Sequence, residues 1–416
     1  MNKKKIIVVG GGPAGMMAAG TAAKRGCSVR LIEQNKVLGK KLLLTGKGRC
    51  NITNACEDVE TIIENIPTNA SFLYSALYTF PNTSVIDFFN DLGLETKVER
   101  GNRVFPVSDK SSDVLNALRK FLISSNVEII HDRVDEILSD TDLSSGKRYV
   151  KGVKTAHRGE LYSDSVIIAT GGLSYQNTGS TGDGYYWAEE LGHTITDIRP
   201  SLVPVKVSQT WISELAGLTL KNIRIFVKNK SDKVIYKDFG EMMFAHFGLT
   251  GPVILSASAH MRNMKKDKYK IIIDLKPALT PEELDKRLRR DFLQNQNKAL
   301  KNSLNRLLPK KMINIFIELS GIDPMKKINS ITKEERQLLL KQLKNLEFDV
   351  VDFCPIEQAI ITSGGVCTKE IDPSTMGSKI VDGLYFAGEI IDVDAYTGGF
   401  NLQIAFSSGF LAGSSC

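Results

Sequence analysis

The feature that most constrains this chain is a glycine-rich turn between a strand pattern and a helix pattern near its N-terminus. Residues 5–9 are a lysine followed by four β-branched residues, and they lead into Gly10, Gly12 and Gly15. A helical stretch and a second strand pattern follow, and this second strand ends in Glu33. G-x-G-x-x-G in this βαβ context is typical of dinucleotide binding. The pattern therefore predicts a Rossmann domain that holds a dinucleotide.

Each part of this fingerprint has a physical role. Gly10 permits the tight turn, Gly12 lets the backbone approach a pyrophosphate, and Gly15 allows close packing of strand and helix. The helix N-terminus at Pro13 and Ala14 supplies N–H groups and a partial positive charge. Glu33, followed by Gln34, can accept hydrogen bonds from an adenosine ribose and disfavours a 2′-phosphate. The fingerprint alone does not distinguish FAD from NAD.

Length and composition narrow the class of protein. A chain of 416 residues exceeds the roughly 250–300 residues at which single cores stop growing, so two or three domains are expected. No apolar run reaches the roughly 18 residues of a membrane span, and no signal peptide is expected. Six cysteines without a C-x-x-C predict a reduced, cytoplasmic protein without a disulfide framework. The histidines show no ligand spacing, so no metal is expected.

The positive charge is concentrated in one part of the chain. Residues 265–345 contain 20 Lys and Arg and 10 Asp and Glu, whereas the net charge of the whole chain is only +7. Helix starts are predicted in this stretch at 280, 297, 309 and 332, with one apolar face each. The basic residues then fall on solvated faces. Stacking aromatics are nearly absent, which argues against a nucleic-acid partner.

Three later segments carry motifs that a nicotinamide dehydrogenase would not need. They are the glycine- and lysine-rich loop 39–54, the strand-and-glycine segment 166–184, and the segment 383–403. With the fingerprint they resemble the bacterial flavoprotein family that includes bile-acid 3-dehydro-Δ4,6-reductases and aminoacetone oxidase-like enzymes. The resemblance covers nearly the whole chain, with Ala245 in place of the family's usual Thr. Residues 181–184 also resemble the fumarate-reductase and ketosteroid-dehydrogenase superfamily, whose members move hydride across an activated C–C bond.

The resemblance implies an α/β fold in which a glutathione-reductase-like, FAD-binding Rossmann domain is interrupted by an insert. It also implies that the basic loop lies along the FAD, that Val134 contacts adenine, and that Glu389 bonds the ribityl hydroxyls. The N-terminus of the helix after Gly399 would stabilise negative charge on a reduced flavin. Beyond the fingerprint, the expected cofactor contacts are Lys41, Gly48, Arg49, Cys50, Asn51, Val134, Ala169, Thr170, Gly171, Gly388, Glu389, Gly399, Asn401 and Leu402.

The pattern changes after Gly192, where short strands separated by turn residues indicate a small antiparallel barrel. The basic helices follow it as a helical cap. The predicted layout is an FAD-binding part at 1–194, a β-barrel insert at 195–278, a helical part at 279–348, and the second FAD-binding part at 349–416. No second dinucleotide fingerprint appears. Either NADH or NADPH therefore reaches the open face of the flavin as electron donor, or reduction comes from the substrate.

The candidate catalytic residues are titratable or hydroxyl side chains near the family motifs. His246 lies among phenylalanines in the insert, Thr250 follows it, and Tyr396 directly precedes the Thr-Gly-Gly turn at 397–399. Tyr175 is a further possible donor. General acid–base work needs such a group within reach of the substrate. Cys50 has no partner at disulfide-reductase spacing, so we interpret it as a structural thiol.

The leading hypothesis is an FAD-dependent oxidoreductase that acts on a small organic molecule, with reduction of a conjugated C=C in a bile-acid or steroid-like enone as the first subclass. The alternatives are an amine oxidase that uses oxygen and releases peroxide, an RNA-associated flavoprotein, and a non-catalytic flavin-binding protein. The sequence leaves the substrate, the electron donor and the oligomeric state open.

Overall fold

The computed structural model describes residues 3–262, 264 and 268–416. They form two compact units. Unit 1 comprises the chain up to Ser201 together with Pro355–Cys416, and unit 2 comprises Leu202–Cys354. The boundaries expected at 195 and 349 lie near the ends of unit 2. Within the described residues, no helix has the length and apolar character that would span a membrane.

The first part of unit 1 alternates strands and helices. In chain order its elements are β1 (Lys5–Val9), α1 (Pro13–Lys24), β2 (Ser28–Glu33), α2 (Lys40–Leu44), β3 (Thr53–Asn54), α3 (Val59–Glu64), α4 (Tyr74–Thr79), α5 (Asn82–Asp91), β4 (Thr96–Glu99), β5 (Arg103–Pro106), α6 (Ser111–Ser124), β6 (Glu128–His131), β7 (Val134–Thr141), β8 (Arg148–Thr155), β9 (Gly159–Tyr162), β10 (Ser165–Ile168), α7 (Asp183–Glu190) and β11 (Arg199–Ser201).

Unit 2 and the returning part of unit 1 follow. Unit 2 contains β12 (Val205–Val207), β13 (Thr219–Lys228), β14 (Val234–Ala245), β15 (Gly248–Thr250), α8 (Pro252–Ser258), β16 (Tyr269–Asp274), α9 (Pro281–Gln294), α10 (Lys310–Ser320), α11 (Lys333–Lys344) and β17 (Leu346–Phe353). The chain then returns to unit 1 with β18 (Ile361–Ser363), β19 (Val381–Asp382), β20 (Leu384–Phe386) and α12 (Phe400–Ser415).

A five-stranded sheet with the order β20-β10-β1-β2-β6 is the centre of unit 1. All its neighbouring strands pair in parallel. Parallel sheets are covered on both faces, which is why β1 after Lys5 and β10 after Ser165 consist only of buried apolar residues. The expected Rossmann domain is confirmed.

Helices α1 and α12 pack against each other through small residues. A Cβ added to Gly409 would lie 2.4 Å from the carbonyl oxygen of Ala14, and one added to Gly413 would lie 2.4 Å from that of Ala18. Only glycine permits this approach of two helix backbones. The contact sets the second half of α12 against the first half of α1. Residues at the starts of the two helices, Pro13 and Ala14 of α1 and Asn401 and Leu402 of α12, line the same cavity.

Unit 2 contains a closed barrel with the order β12-β15-β14-β13-β16-β17, and it confirms the predicted antiparallel barrel. The barrel closes because β17 pairs with both β12 and β16. Residues 349–353, which the sequence assigned to the second FAD-binding part, are therefore barrel residues. These residues are exposed or half-buried, and their sequence does not distinguish a barrel strand from a strand of the FAD-binding part.

Three helices follow the barrel strands β12–β16. The capping boxes Thr280–Glu283 and Thr332–Glu335 begin α9 and α11 as the sequence predicts. The helix expected from 297 is wrong, because only a short 3₁₀ turn forms at Leu300–Asn302. Residues 265–267 of the basic stretch lie outside the described residues.

Candidate functional site

A cavity with about 1370 Å³ of empty space, counting the part open to solvent, lies at the carboxyl ends of the parallel strands in unit 1. Residues at the ends of all five strands line it, namely Val9, Glu33, Asp132, Ala169 and Ala387. Ligands of open α/β sheets bind at this edge. All the lining residues belong to unit 1.

The cavity gathers most of the cofactor residues that the sequence suggests. Those that line it are Gly10, Gly12, Pro13, Ala14, Glu33, Gln34, Lys41, Val134, Ala169, Thr170, Gly171, Gly388, Glu389, Asn401 and Leu402. Gly15, Gly48, Arg49, Cys50, Asn51 and Gly399 are not in its lining.

The three fingerprint glycines differ in what surrounds them. Gly10 has a φ of +106°, and an added Cβ would lie 2.5 Å from the carbonyl oxygen of Ala169. An added Cβ on Gly15 would lie 1.9 Å from the carbonyl oxygen of Gly10. Gly12 has nothing within 4 Å of its added Cβ, although it lines the cavity. Gly10 and Gly15 therefore serve the protein's own packing, whereas Gly12 leaves open space for a ligand.

The carboxylate of Glu33 is held at the end of β2. Its Oε2 accepts a hydrogen bond from Gly11 N at 2.8 Å, and its Oε1 accepts bonds from Asn35 N at 2.8 Å and Asn35 Nδ2 at 2.6 Å. Asn35 Nδ2 also donates to Thr178 O at 3.1 Å, and Gln34 Nε2 donates to Gly179 O at 2.8 Å. These bonds hold Thr178 and Gly179 next to Glu33 in the cavity wall.

Asp132 fixes the turn that precedes Val134. Its Oδ1 accepts hydrogen bonds from Arg133 N and from Nδ1 of His157, both at 2.8 Å, and its side chain is 1% exposed. Burial by itself would raise the pKa of Asp132, but the hydrogen bonds from His157 and Arg133 outweigh it and lower the pKa to about 2. The ionised side chain therefore holds Arg133 and Val134 in the cavity wall.

Four side chains from distant parts of unit 1 meet at one side of the cavity. Lys41 Nζ lies 2.5 Å from Glu389 Oε2 and 2.6 Å from Ser174 Oγ. Glu389 Oε1 accepts bonds from Ser174 Oγ at 3.0 Å and from Thr362 N at 2.9 Å. Ser174 and Thr362 were not predicted, because no local pattern marks them. Lys41 and Glu389 line the cavity and are paired with each other.

The remaining part of the basic loop is directed away from the cavity lining. Arg49 donates to Glu99 and Asp109, each at 2.5 Å, and its guanidinium lies 4.1 Å from the centre of the Phe105 ring. Cys50 is fully buried, and burial raises the pKa of its thiol to about 12. Asn51 has a buried Oδ1 without a hydrogen-bond partner among the described residues. The positions of Arg49 and Cys50 indicate structural roles.

The N-terminus of α12 opens on the cavity without a side-chain cap. Gly399 is its N-cap residue with a φ of +103°, and an added Cβ would lie 2.3 Å from the carbonyl oxygen of Thr53. The side chain of Asn401 turns back to Ala395, accepting from its N at 2.9 Å and donating to its O at 2.7 Å. Among the described residues, the first-turn N–H groups therefore have no side-chain partner, and they carry a partial positive charge.

The candidate catalytic residues lie elsewhere. His246 is exposed in the turn between β14 and β15, and Thr250 ends β15, so both belong to unit 2. Tyr396 is half-buried in the loop before α12, where its N donates to Asn65 O at 2.9 Å. Tyr175 precedes a 3₁₀ turn with a φ of +53°. None of these residues is in the lining of the cavity, and their catalytic roles stay predictions.

The residues present fit an FAD. The cavity is lined by an acid suited to ribose hydroxyls (Glu33), an open glycine at a helix N-terminus (Gly12) and a second acid (Glu389). An added Cβ on Gly12 would enter open space in this wall, which leaves room for a pyrophosphate beside the start of α1. Over the described ranges, no group of three or more His, Cys, Asp and Glu side chains could hold a metal ion.

Comparison with known proteins shows similarity along nearly the whole chain. The model of the family described as "HI0933-like protein Rossmann domain" matches residues 4–415. A 3-dehydro-bile acid delta(4,6)-reductase of Clostridium scindens is 31% identical over 98% of both chains. A ribosomal RNA dihydrouridine synthase of Haemophilus influenzae is 31% identical over 97% of this chain and 96% of its own length. An open flavocytochrome c3 fumarate reductase shares the fold at a TM-score of 0.53 and 17% identity, over 100% of this chain and 78% of its own.

Proposed function

The chain belongs to the HI0933-like family of Rossmann-domain proteins, and from that premise we propose that it is an FAD-dependent oxidoreductase that reduces a C=C bond conjugated to a carbonyl group. The observation that carries this proposal is the single cavity that brings Glu33, Gly12, Glu389 and the N-terminus of α12 together. This combination would provide ribose, pyrophosphate and ribityl contacts and a positive helix end for one elongated cofactor.

FAD, when bound, supplies a centre that accepts and delivers hydride. The chain's own residues bind and orient it. Glu33 would accept from ribose hydroxyls, the N–H groups at the start of α1 would bind the pyrophosphate, and Asp132 would fix the wall at Val134. The uncapped first turn of α12 would stabilise negative charge that develops on the reduced cofactor.

The names of two curated relatives support the proposed substrate chemistry. The name of one describes reduction of a bile acid at its delta(4,6) positions. The name of the other describes formation of dihydrouridine, which differs from uridine by two hydrogen atoms across a C=C bond conjugated to a ring carbonyl. Both reactions add a hydride and a proton to an activated double bond. A bile-acid or steroid-like enone is our first substrate class.

A uridine in ribosomal RNA is the second candidate. The basic stretch 265–345 of unit 2 favours it, because clustered Lys and Arg attract phosphates. Many of these cations already have carboxylate partners, such as Arg336 with Asp285 at 2.8 Å and Lys344 with Asp274 at 2.6 Å. The charge available for an RNA backbone is therefore smaller than the sequence count implies. An oxygen-using amine oxidase and a non-catalytic flavoprotein are the further alternatives.

We propose NADH or NADPH as the electron donor. A cytoplasmic location fits the six cysteines, all of which are free.

The purified protein tests this function directly. We expect a flavin absorbance spectrum, bleaching on anaerobic titration with NADH or NADPH, and re-oxidation by a 4-en-3-one steroid. Re-oxidation only by unmodified ribosomal RNA would select the second candidate. Fast re-oxidation by air with turnover of an amine would select the oxidase, and a protein that neither contains nor binds FAD would refute the proposal.

A further inference from the structure

One cluster in the cavity wall is not part of the dinucleotide fingerprint. It consists of Lys41 at the start of α2, Ser174 after β10, Thr362 in β18 and Glu389 after β20. We propose that Lys41 is a positioning residue that acts through Glu389, holding and neutralising its carboxylate for the ribityl hydroxyls instead of binding the cofactor phosphates. This inference rests on the proposed FAD function.

The hydrogen-bond inventory of the cluster supports this role. A lysine ammonium has three N–H groups, and Lys41 directs two of them to Glu389 Oε2 and Ser174 Oγ. Glu389 Oε1 already accepts from Ser174 and Thr362, whereas Oε2 accepts from Lys41 alone within the described part of the chain. Each carboxylate oxygen offers about two lone-pair sites, so Oε2 keeps one site for a ligand hydroxyl.

The burial of Lys41 and Glu389 raises the energetic cost of separating the two charges. The side chains of Lys41 and Glu389 are 21% and 12% exposed. A carboxylate removed from water to this degree is costly without a partner. Removing Lys41 therefore leaves a poorly compensated negative charge in the wall, where it would also oppose the negative charge of a reduced flavin.

The neighbouring lysine provides an internal comparison. Lys40 also lines the cavity, but its Nζ donates to the neutral Oδ1 of Asn35 at 2.7 Å. The ammonium of Lys40 thus has no carboxylate partner among the described residues. Of these two adjacent lysines, Lys40 remains available for a phosphate, whereas Lys41 is already engaged by Glu389.

Ser174 reinforces the pair because it bonds both partners. Its own position is fixed by Thr362, whose Oγ1 accepts from Ser174 N at 3.1 Å and from Leu173 N at 2.8 Å. Both hydroxyl residues are fully buried. A substitution of Ser174 should therefore weaken the effect of Lys41 without removing a charge.

A double-mutant cycle on FAD binding tests the proposal. Apoproteins of wild type, Lys41→Met, Glu389→Gln and the double variant are titrated with FAD by fluorescence quenching. We expect each single variant to weaken binding by about ten- to a hundredfold, and the double variant to be no weaker than Glu389→Gln alone. Losses that multiply in the double variant would mean that Lys41 contacts the cofactor independently, and would overturn the proposal.

Further variants keep this result interpretable. Lys41→Arg should retain most of the affinity because it keeps the charge. Ser174→Ala should cause a few-fold loss that disappears in the Glu389→Gln background, because Ser174 bonds the carboxylate of Glu389 directly as well as Lys41. A loss with Ser174→Ala that persists in that background contradicts the proposal, even if the Lys41→Met/Glu389→Gln double variant does not fold. The exposed pair Lys151 and Asp140, 3.3 Å apart and outside the cavity lining, is the matched control, and its cycle should leave FAD affinity unchanged.

A second readout is the midpoint potential of the bound flavin. Lys41→Met should lower it, because the unpaired carboxylate opposes the reduced anion, and adding Glu389→Gln should reverse that shift. An unchanged potential in Lys41→Met would contradict the charge-neutralising role. If the wild-type protein fails to bind FAD, the proposed function itself is refuted. If the wild type binds FAD but the losses of Lys41→Met and Glu389→Gln multiply in the double variant, only this inference is refuted.

Discussion

Replacing Gly12 by Ala separates the needs of the cofactor from those of the fold. Gly12 has φ −77° and ψ −179°, a backbone conformation open to any residue, and its added Cβ meets nothing within 4 Å. The apoprotein should therefore be as stable as wild type, or more stable by about 0.4–1 kcal/mol through a less flexible unfolded chain. The same methyl group would occupy the space of the pyrophosphate. Crowding of about 1–3 kcal/mol corresponds to a roughly 5- to 150-fold loss of FAD affinity.

Gly15→Ala is the matched control in the same helix turn. Its Cβ would lie 1.9 Å from the backbone oxygen of Gly10, a clash that only a backbone shift relieves. We expect about 3 kcal/mol or more of destabilisation in the apoprotein. Urea unfolding of the apoproteins and FAD titration by fluorescence measure the two effects. Wild-type FAD affinity in Gly12→Ala would refute the placement of the pyrophosphate at this turn.

Three further predictions address other parts of the molecule. Because the folded-state pKa of Asp132 is lowered to about 2, its roughly 2 kcal/mol of stabilisation is present above pH 4 and is lost as the pH falls towards 2. In Asp132→Asn, the midpoint of unfolding should therefore vary less with pH between pH 4 and pH 2 than in wild type. The same pH dependence in both proteins would contradict the assignment. A thiol reagent should label Cys27 and Cys367 in the native protein and reach the four buried cysteines only on unfolding, so rapid labelling of Cys50 would be inconsistent with its burial. Thr332→Ala removes the capping box of α11 and should cost unit 2 about 1 kcal/mol while FAD affinity stays unchanged; weaker FAD binding would show that unit 2 contributes to the site.

Local sequence patterns correctly predicted the turns and helix starts that are formed by interactions between residues close in sequence. The fingerprint at 10–15 marks a strand, a tight turn and a helix because only glycine permits the φ of +106° at Gly10 and the contact at Gly15. The boxes at Thr280 and Thr332 predicted helix starts because capping uses neighbouring residues. The same local reasoning was wrong at 297, and it assigned residues 349–353, the second part of β17, to the FAD-binding part. A short apolar strand carries no record of which strand will pair with it.

By itself the sequence determined the Rossmann domain, the barrel insert and most of the cavity wall, since each depends on residue types at short spacing. The tertiary structure alone decided how the side chains are used. It paired Lys41 with Glu389 across 348 positions of the chain, directed Arg49 to two carboxylates, and turned Asn401 back onto Ala395. Hydrogen-bond partners that are distant in sequence are chosen by the packing of whole elements, and that packing is a property of the folded chain.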